Sequence, residues 1–147
     1  MPLRGQCCVP GTSNVMPLKS SAFSAAEEVH WGSDIESIHF DANGLVVVVA
    51  REPMPNGQVR GLQVKFEQAT AFRYLDEVEI ATYWMSTGFV SGHHVLEVSE
   101  GGWSDEEAVR KGYETQQREW LVVTGNGCVS VFSAVEPVVA TVVYEPA

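Results

Sequence analysis

The sequence predicts a mainly β fold with one or two short helices, in which an antiparallel sheet is curled into a barrel or a sandwich. Roughly seven short segments have strand-like composition and are separated by Gly, Pro and Asn turns, which is typical of all-β domains. Apolar residues make up 45% of the chain and charged residues 19%, as in ordinary globular proteins. An α+β arrangement is the alternative, because some segments fit a helix equally well.

The chain of 147 residues has the length of one domain and can bury a core without disulfide or metal support. Residues 1–20 contain three prolines and two glycines and show no regular periodicity, so we expect a flexible N-terminal tail. Residues 21–147 are predicted to form a single compact β-rich domain. The tetrapeptide at residues 1–4 is echoed at residues 16–19, so a natural start at Met16 is also compatible with the sequence.

Two short helices are predicted from capping signals. Ser24 begins a Ser-Ala-Ala-Glu sequence, which has the spacing of a capping box, so a helix is expected over residues 25–31. The same spacing begins at Ser104, where acidic residues open the segment, basic residues end it, and Gly112 follows as a stop signal.

Strands account for most of the remaining chain. Residues 35–40 and 45–51 are predicted to pair as a hairpin across a turn-prone Asp-Ala-Asn-Gly sequence. Residues 59–67 alternate between apolar and polar side chains, which indicates a strand with one buried and one solvated face. Residues 71–75 and 79–85 fit a bent strand or a helical turn equally well.

The C-terminal half carries the clearest strand pattern. Further strands are predicted at residues 94–98, 120–124, 128–133 and 138–144, with a Gly-Asn-Gly hairpin turn between the second and the third. Alternation and β-branched content place the following residues in the core: Val47, Val49, Leu62, Val64, Phe66, Leu121, Val123, Val129 and Val131.

Charge is distributed unevenly along the chain, whose formal net charge is −10. Residues 73–107 contain eight acidic residues but a single Lys or Arg, which is Arg73. An acidic surface repels phosphate backbones, so nucleic-acid binding is not expected and a macromolecular partner should be basic. No apolar run approaches the ~18 residues of a membrane-spanning helix, and no secretory signal is recognisable, so we expect a cytoplasmic protein without a membrane partner.

Cofactor and metal sites are not expected. Of the three cysteines, Cys7 and Cys8 are neighbours that are unsuited to bridge each other, and Cys128 lies in a predicted strand as a small apolar residue. Successive strand residues point to opposite faces, so His93, but not the adjacent histidine, can share a face with Glu97. His93 is therefore a candidate binding residue and not a metal ligand.

A dense charged cluster flanked by aromatic residues is the main candidate site. Carboxylates that lie close together can divide acid and base roles when an apolar wall separates their pKa values. The alternative is a solvated turn in which Arg73 forms a surface ion pair. Trp103 follows two glycines and is expected to be an exposed anchor for a ligand or a subunit. The tentative binding residues are Arg73, Asp76, Glu77, Glu79, Tyr83, Trp84, His93 and Trp103.

Three classes of function are open. Clustered acids with embedded aromatic residues favour a non-enzymatic interaction protein, of the inhibitor or immunity type, that binds a basic partner. A small-ligand-binding β domain or enzyme, with a pocket of aromatics and acids, is the first alternative, and a self-assembling accessory protein is the second. A homodimer is expected in addition, because residues 138–144 carry no charge that would keep another strand from pairing with them.

Overall fold

The computed structural model describes residues 17–23, 29, 32–86, 88–90, 92–112 and 117–146. The strands in these residues are β1 (Lys19–Ala22), β2 (Asp34–Asp41), β3 (Gly44–Pro53), β4 (Val59–Phe66), β5 (Ala69–Leu75), β6 (Val95–Glu100), β7 (Glu119–Val123), β8 (Cys128–Ser133) and β9 (Val138–Tyr144). The helices are α1 (Glu77–Trp84) and α2 (Trp103–Lys111).

The strands form two antiparallel sheets. One sheet has five strands in the order β1-β6-β7-β8-β5, and the other has four in the order β2-β3-β4-β9. Residues of both sheets share one buried cluster, in which the ring centroids of Phe66 and Trp120 lie 6.3 Å apart. The described chain is therefore a mainly β sandwich, which confirms the predicted fold class and favours the sandwich over the barrel.

The main core lies between the sheets, because alternate residues of each strand face inward. All nine residues predicted for the core are buried. Seven of them belong to the cluster between the sheets. Leu121 and Val123 belong to a second cluster on the opposite face of β7, together with Ile80 and Tyr83 of α1.

The two sheets differ in what covers them. The five-stranded sheet is enclosed on both faces at β7 and β8, which are buried along their whole length. In β3 the residues alternate between buried and half-buried, which directs Val46 and Val48 away from the core. The four-stranded sheet therefore has the partly solvated face that the alternation of residues 59–67 predicts.

Helix α1 resolves the ambiguity of the segments at residues 71–75 and 79–85. The first is part of β5, and Asp76 then caps α1, since its carboxylate accepts a hydrogen bond from the backbone N–H of Glu79. The Glu79 carboxylate accepts a bond from the backbone N–H of Asp76 in return. Asp76 and Glu79 thus have the capping-box spacing, a helix signal that the ambiguous interpretation missed.

Helix α2 confirms the second predicted helix but corrects its start. Gly112 ends the helix with a left-handed φ of 82°, as expected. Gly102, and not Ser104, is the N-cap, and Ser104 lies inside the first turn. The other predicted helix, residues 25–31, lies outside the described residues apart from residue 29. Neither described helix has the length and apolarity that crossing a membrane requires.

The predicted boundary of the N-terminal tail at residue 20 is wrong, because the folded domain already includes Leu18 and β1. Leu18 has only 1% of its surface exposed, and β1 pairs with β6 in the five-stranded sheet. A strand of four residues is too short to show alternation in a sequence, which explains the error. Residues 1–16 lie outside the described residues.

Candidate functional site

The outer face of the five-stranded sheet positions several of the predicted site residues. Arg73 in β5 is the cross-strand partner of Ser130 in β8, and Phe132, two residues further along β8, is the partner of Glu119 in β7. Because alternate strand residues share a face, these four side chains lie on the side of the sheet that carries the helices. Arg73 and Glu119 are therefore positioned to contact α1 and α2.

Arg73 joins β5 to both helices. Its Nη2 donates hydrogen bonds to Tyr83 Oη of α1 over 2.9 Å and to Glu106 Oε2 of α2 over 2.7 Å. The Tyr83 hydroxyl donates to the same Glu106 oxygen over 3.1 Å. The guanidinium carbon also lies 5.1 Å from the ring centroid of Trp103. We call Arg73, Tyr83, Trp103 and Glu106 the Arg73 cluster.

The Arg73 cluster is built to hold helices in place. Burial raises the pKa of Tyr83, and the negative charge of Glu106 is the second largest cause of the increase. The hydroxyl therefore stays protonated and remains a hydrogen-bond donor. The ion pair between Arg73 and Glu106 is partly open to solvent, with 28% and 40% of the side chains exposed. Solvent screening limits such a pair to about 1 kcal/mol. The Tyr83 hydroxyl and Glu106 Oε2 are thus used within the cluster.

Trp103 is half-buried, contrary to the expectation of an exposed anchor. Its ring stacks on Phe132, with centroids 4.1 Å apart and planes inclined by 18°. Stacking on one face and the Arg73 guanidinium near the ring together use the surface that a ligand would need. Trp103 therefore attaches α2 to the sheet.

Glu119 is a buried residue of this region that the sequence interpretation missed. Only 1% of Glu119 is exposed, and its two carboxylate oxygens accept the backbone N–H groups of Trp103 and Ser104 over 2.9 and 2.8 Å. A side chain from the sheet thus takes the place of a local N-cap for α2. The absence of a side chain at Gly102 provides the space for the Glu119 carboxylate, because a Cβ at that position would lie 2.4 Å from Glu119 Oε2. The sequence could have indicated this contact, because a glycine at the N-cap has no side chain to accept the first backbone N–H groups of the helix. Another residue must then supply the acceptor.

Two buried groups on the outer face of the five-stranded sheet have raised pKa values. Burial raises the pKa of Glu119, against the opposing effect of the two backbone N–H groups. Burial also raises the pKa of Cys128 to about 12, so its thiolate is not available as a nucleophile near neutral pH. Among the described residues, no group of three or more His, Cys, Asp or Glu is placed to hold a metal ion.

The outward-facing side of α1 combines acidic and apolar side chains. Ile80 and Tyr83 are buried, whereas Val78 and Met85 have 82% and 85% of their surfaces exposed. Val78 and Met85 are seven residues apart and therefore lie on one side of the helix, across from the buried residues. Glu77 is exposed beside them. We call Asp76, Glu77, Val78, Glu79 and Met85 the α1 outer face.

The negative charge of residues 73–107 is not uniform in the folded chain. Four of the eight acids are paired with cations, in the pairs Glu97–Arg118, Glu100–Lys19, Glu106–Arg73 and Glu107–Arg110. Asp105 accepts the backbone N–H of Gly101. In the part of the chain that the structure describes, Asp76, Glu77 and Glu79 form no ion pair. The unneutralised charge is therefore concentrated at the start of α1.

The remaining two predicted site residues lie apart from the Arg73 cluster. Trp84 is at the end of α1 with 38% of its surface exposed. His93 precedes β6, whereas Trp103 follows it, so the strand separates them by roughly 20 Å. No hydrogen bond or ion pair between described residues joins His93 to the cluster.

The eight predicted site residues thus divide into three groups. Arg73, Tyr83 and Trp103 form an internal contact, the acids and Trp84 surround the exposed side of α1, and His93 stands alone. No protein-family model, curated protein or solved structure matches the chain, so its function is inferred from this geometry.

Proposed function

We propose that the chain is a non-enzymatic interaction protein whose α1 outer face binds a basic partner. The observation that carries this proposal is the coincidence of unpaired acids with strongly exposed apolar side chains on one helix. Asp76, Glu77 and Glu79 supply negative charge without a cation of the described chain, and Val78 and Met85 expose 82% and 85% of their surfaces beside them.

The α1 outer face favours a partner surface that combines basic and apolar side chains. Glu77 and Glu79 are the sequence neighbours of Val78, one on each side. The two acids therefore flank an apolar strip that runs along the helix from Val78 to Met85. A matching surface has Lys or Arg around an apolar side chain. The charges would steer encounter, and burial of Val78 and Met85 would contribute about 1.5–3 kcal/mol for each side chain.

The alternative of a small-ligand-binding domain or enzyme has less support. Its pocket would need Tyr83, Trp84, His93 and Trp103 to converge. Tyr83 and Trp103 make their contacts inside the Arg73 cluster, and Trp84 is on another side of α1 from Tyr83.

Binding of a peptide of alternating lysine and leucine tests the proposal. Fluorescence anisotropy of the labelled peptide should report binding that weakens at least about tenfold between ~0.05 and ~0.5 M salt. Glu77→Lys should weaken binding because it reverses one charge of the α1 outer face, and Val78→Asp should weaken it because it removes an apolar contact. Glu67→Lys, an equal charge change at an exposed turn outside α1, is the matched control and should bind nearly as well as the natural chain. Equal loss in Glu77→Lys and Glu67→Lys, with no loss in Val78→Asp, would show that binding follows net charge and not this helix.

Self-association is a second candidate, and a different observation favours it. β9 is an edge strand of the four-stranded sheet, and Val138 and Val143 in it have 60% and 48% of their surfaces exposed. Pairing of two copies would cover this edge, and we therefore propose a homodimer. A cytoplasmic location is also part of the proposed function. Light scattering at micromolar concentration should give twice the mass of one chain.

A further inference from the structure

The four strand edges of the sandwich are not equally protected against pairing with another chain. β2 carries Asp34, Glu36 and Asp41 and has a register shift between Ile35 and Ser37. Charged side chains and bulges are the devices by which natural sheets discourage edge pairing. The edge at β2 is therefore protected.

The two edges of the five-stranded sheet are also unsuited to pairing. β1 has only four residues and a register shift next to Lys19. β5 has a register shift between Ala69 and Ala71 and runs directly into the capped start of α1. Short length and local irregularity both limit the number of hydrogen bonds that another strand could form there.

β9 lacks all of these devices. Its seven residues, Val138–Tyr144, include no charged side chain, and its register with β4 is continuous from the pair Lys65 and Val138 to the pair Val59 and Tyr144. The side of β9 opposite β4 has no strand neighbour among the described residues. This edge is thus long, regular and uncharged, which is the form that adds another strand most readily.

We infer that β9 pairs antiparallel with β9 of a second copy of the chain, so that two four-stranded sheets become one continuous sheet of eight strands. Full overlap of the strand with itself places Thr141 on the two-fold axis and Val138 opposite Tyr144 of the partner. This inference rests on the homodimer proposed above and names the surface that forms it. An antiparallel edge is complementary to itself, and the described part of each chain offers one such edge, so the assembly closes at two copies.

Charge around β9 predicts how salt acts on the dimer. A surface with net charge −10 repels its own copy, and β9 is an edge where no acid lies in the contact. Glu136 and Glu145 flank the strand and are exposed. In the antiparallel pair, Glu136 of one copy lies near Glu145 of the other, so like charges meet at both ends of the interface. Salt screens this repulsion and should strengthen the dimer, whereas it should weaken binding of a basic partner to α1.

Cysteine cross-linking tests the register. In a background with Cys7→Ser and Cys8→Ser, Thr141→Cys should form a disulfide-linked dimer under mild oxidation, because residues opposite each other in an antiparallel pair have Cα atoms about 4.5–5.5 Å apart. Ser37→Cys on the protected β2 edge is the control and should remain uncrosslinked. Cys128 is buried and is common to both variants.

Light scattering with a second pair of variants separates this inference from the homodimer itself. Thr141→Lys should weaken dimerisation at least about tenfold, because it puts two like charges directly opposite each other, whereas Ser37→Lys should leave it unchanged. Circular dichroism checks that each variant is folded. A dimeric mass without cross-linking at Thr141 would overturn the β9 contact and leave the homodimer standing. A monomeric mass at both low and high salt would overturn both, as would a monomer that captures an unrelated extended peptide at β9.

Discussion

Replacing Glu119 with glutamine is expected to loosen the attachment of α2 to the sheet. The natural carboxylate accepts two backbone N–H groups, over 2.9 and 2.8 Å. Glutamine keeps one acceptor oxygen, but its amide nitrogen cannot accept, so one partly buried N–H loses its partner. Such a loss costs about 1–3 kcal/mol of unfolding free energy. At about 3 °C per kcal/mol for a chain of this length, the thermal midpoint should fall by roughly 3–9 °C.

Thermal unfolding followed by circular dichroism measures this change, and α2 itself supplies the matched control. Glu107 lies on the same helix and forms a surface ion pair with Arg110 over 2.7 Å. Glu107→Gln should therefore lower the midpoint by less than about 2 °C, because an exposed pair contributes only about 0–1 kcal/mol. Equal midpoints for Glu119→Gln and Glu107→Gln would refute the conclusion that Glu119 caps the helix.

The other predictions concern the core, the N-terminal strand and pH. Phe66→Ala should cost about 3–5 kcal/mol in urea unfolding, because Phe66 is fully buried, and a near-neutral result would mean that the core is wrongly placed. Leu18→Ala should cost about 2–4 kcal/mol, whereas a freely mobile Leu18 would cost nothing. The folded chain binds the Glu119 proton more tightly than the unfolded chain, whose carboxyl titrates near 4.5, so the natural chain should lose stability relative to Glu119→Gln as the pH rises above 4.5. The opposite trend would mean that the backbone N–H groups outweigh burial.

Local patterns in the sequence predict most of the strands and the core well, because alternation or a short apolar run is visible within each of these strands. Gly112 likewise marks the end of α2, since a left-handed residue after a helix is a local requirement. The start of α1 was accessible in the same way, through Asp76 and Glu79, but the aromatic residues that follow fit a strand as well as a helix.

The contacts of the site depend on residues that are distant in the chain. Arg73 and Glu106 are 33 positions apart, and Glu119 reaches Trp103 from 16 positions away. The exposure expected for Trp103 was wrong for the same reason, since Phe132 supplies the stacking surface from another strand. Sequence clustering of charge also overstated the acidic patch, because Lys19 and Arg118 neutralise acids that only the fold brings close, and Arg110 pairs with Glu107 one helical turn away.

The central claim is that the α1 outer face, and not the Arg73 cluster, is the binding surface. Nuclear magnetic resonance of the ¹⁵N-labelled chain titrated with the lysine and leucine peptide tests this claim most directly. Amide signals of residues 76–85 should shift, Glu77→Lys should remove the shifts, and ~0.5 M salt should reverse them. Shifts that leave residues 76–85 unchanged and concentrate at Arg73, His93 and Trp103 would contradict it.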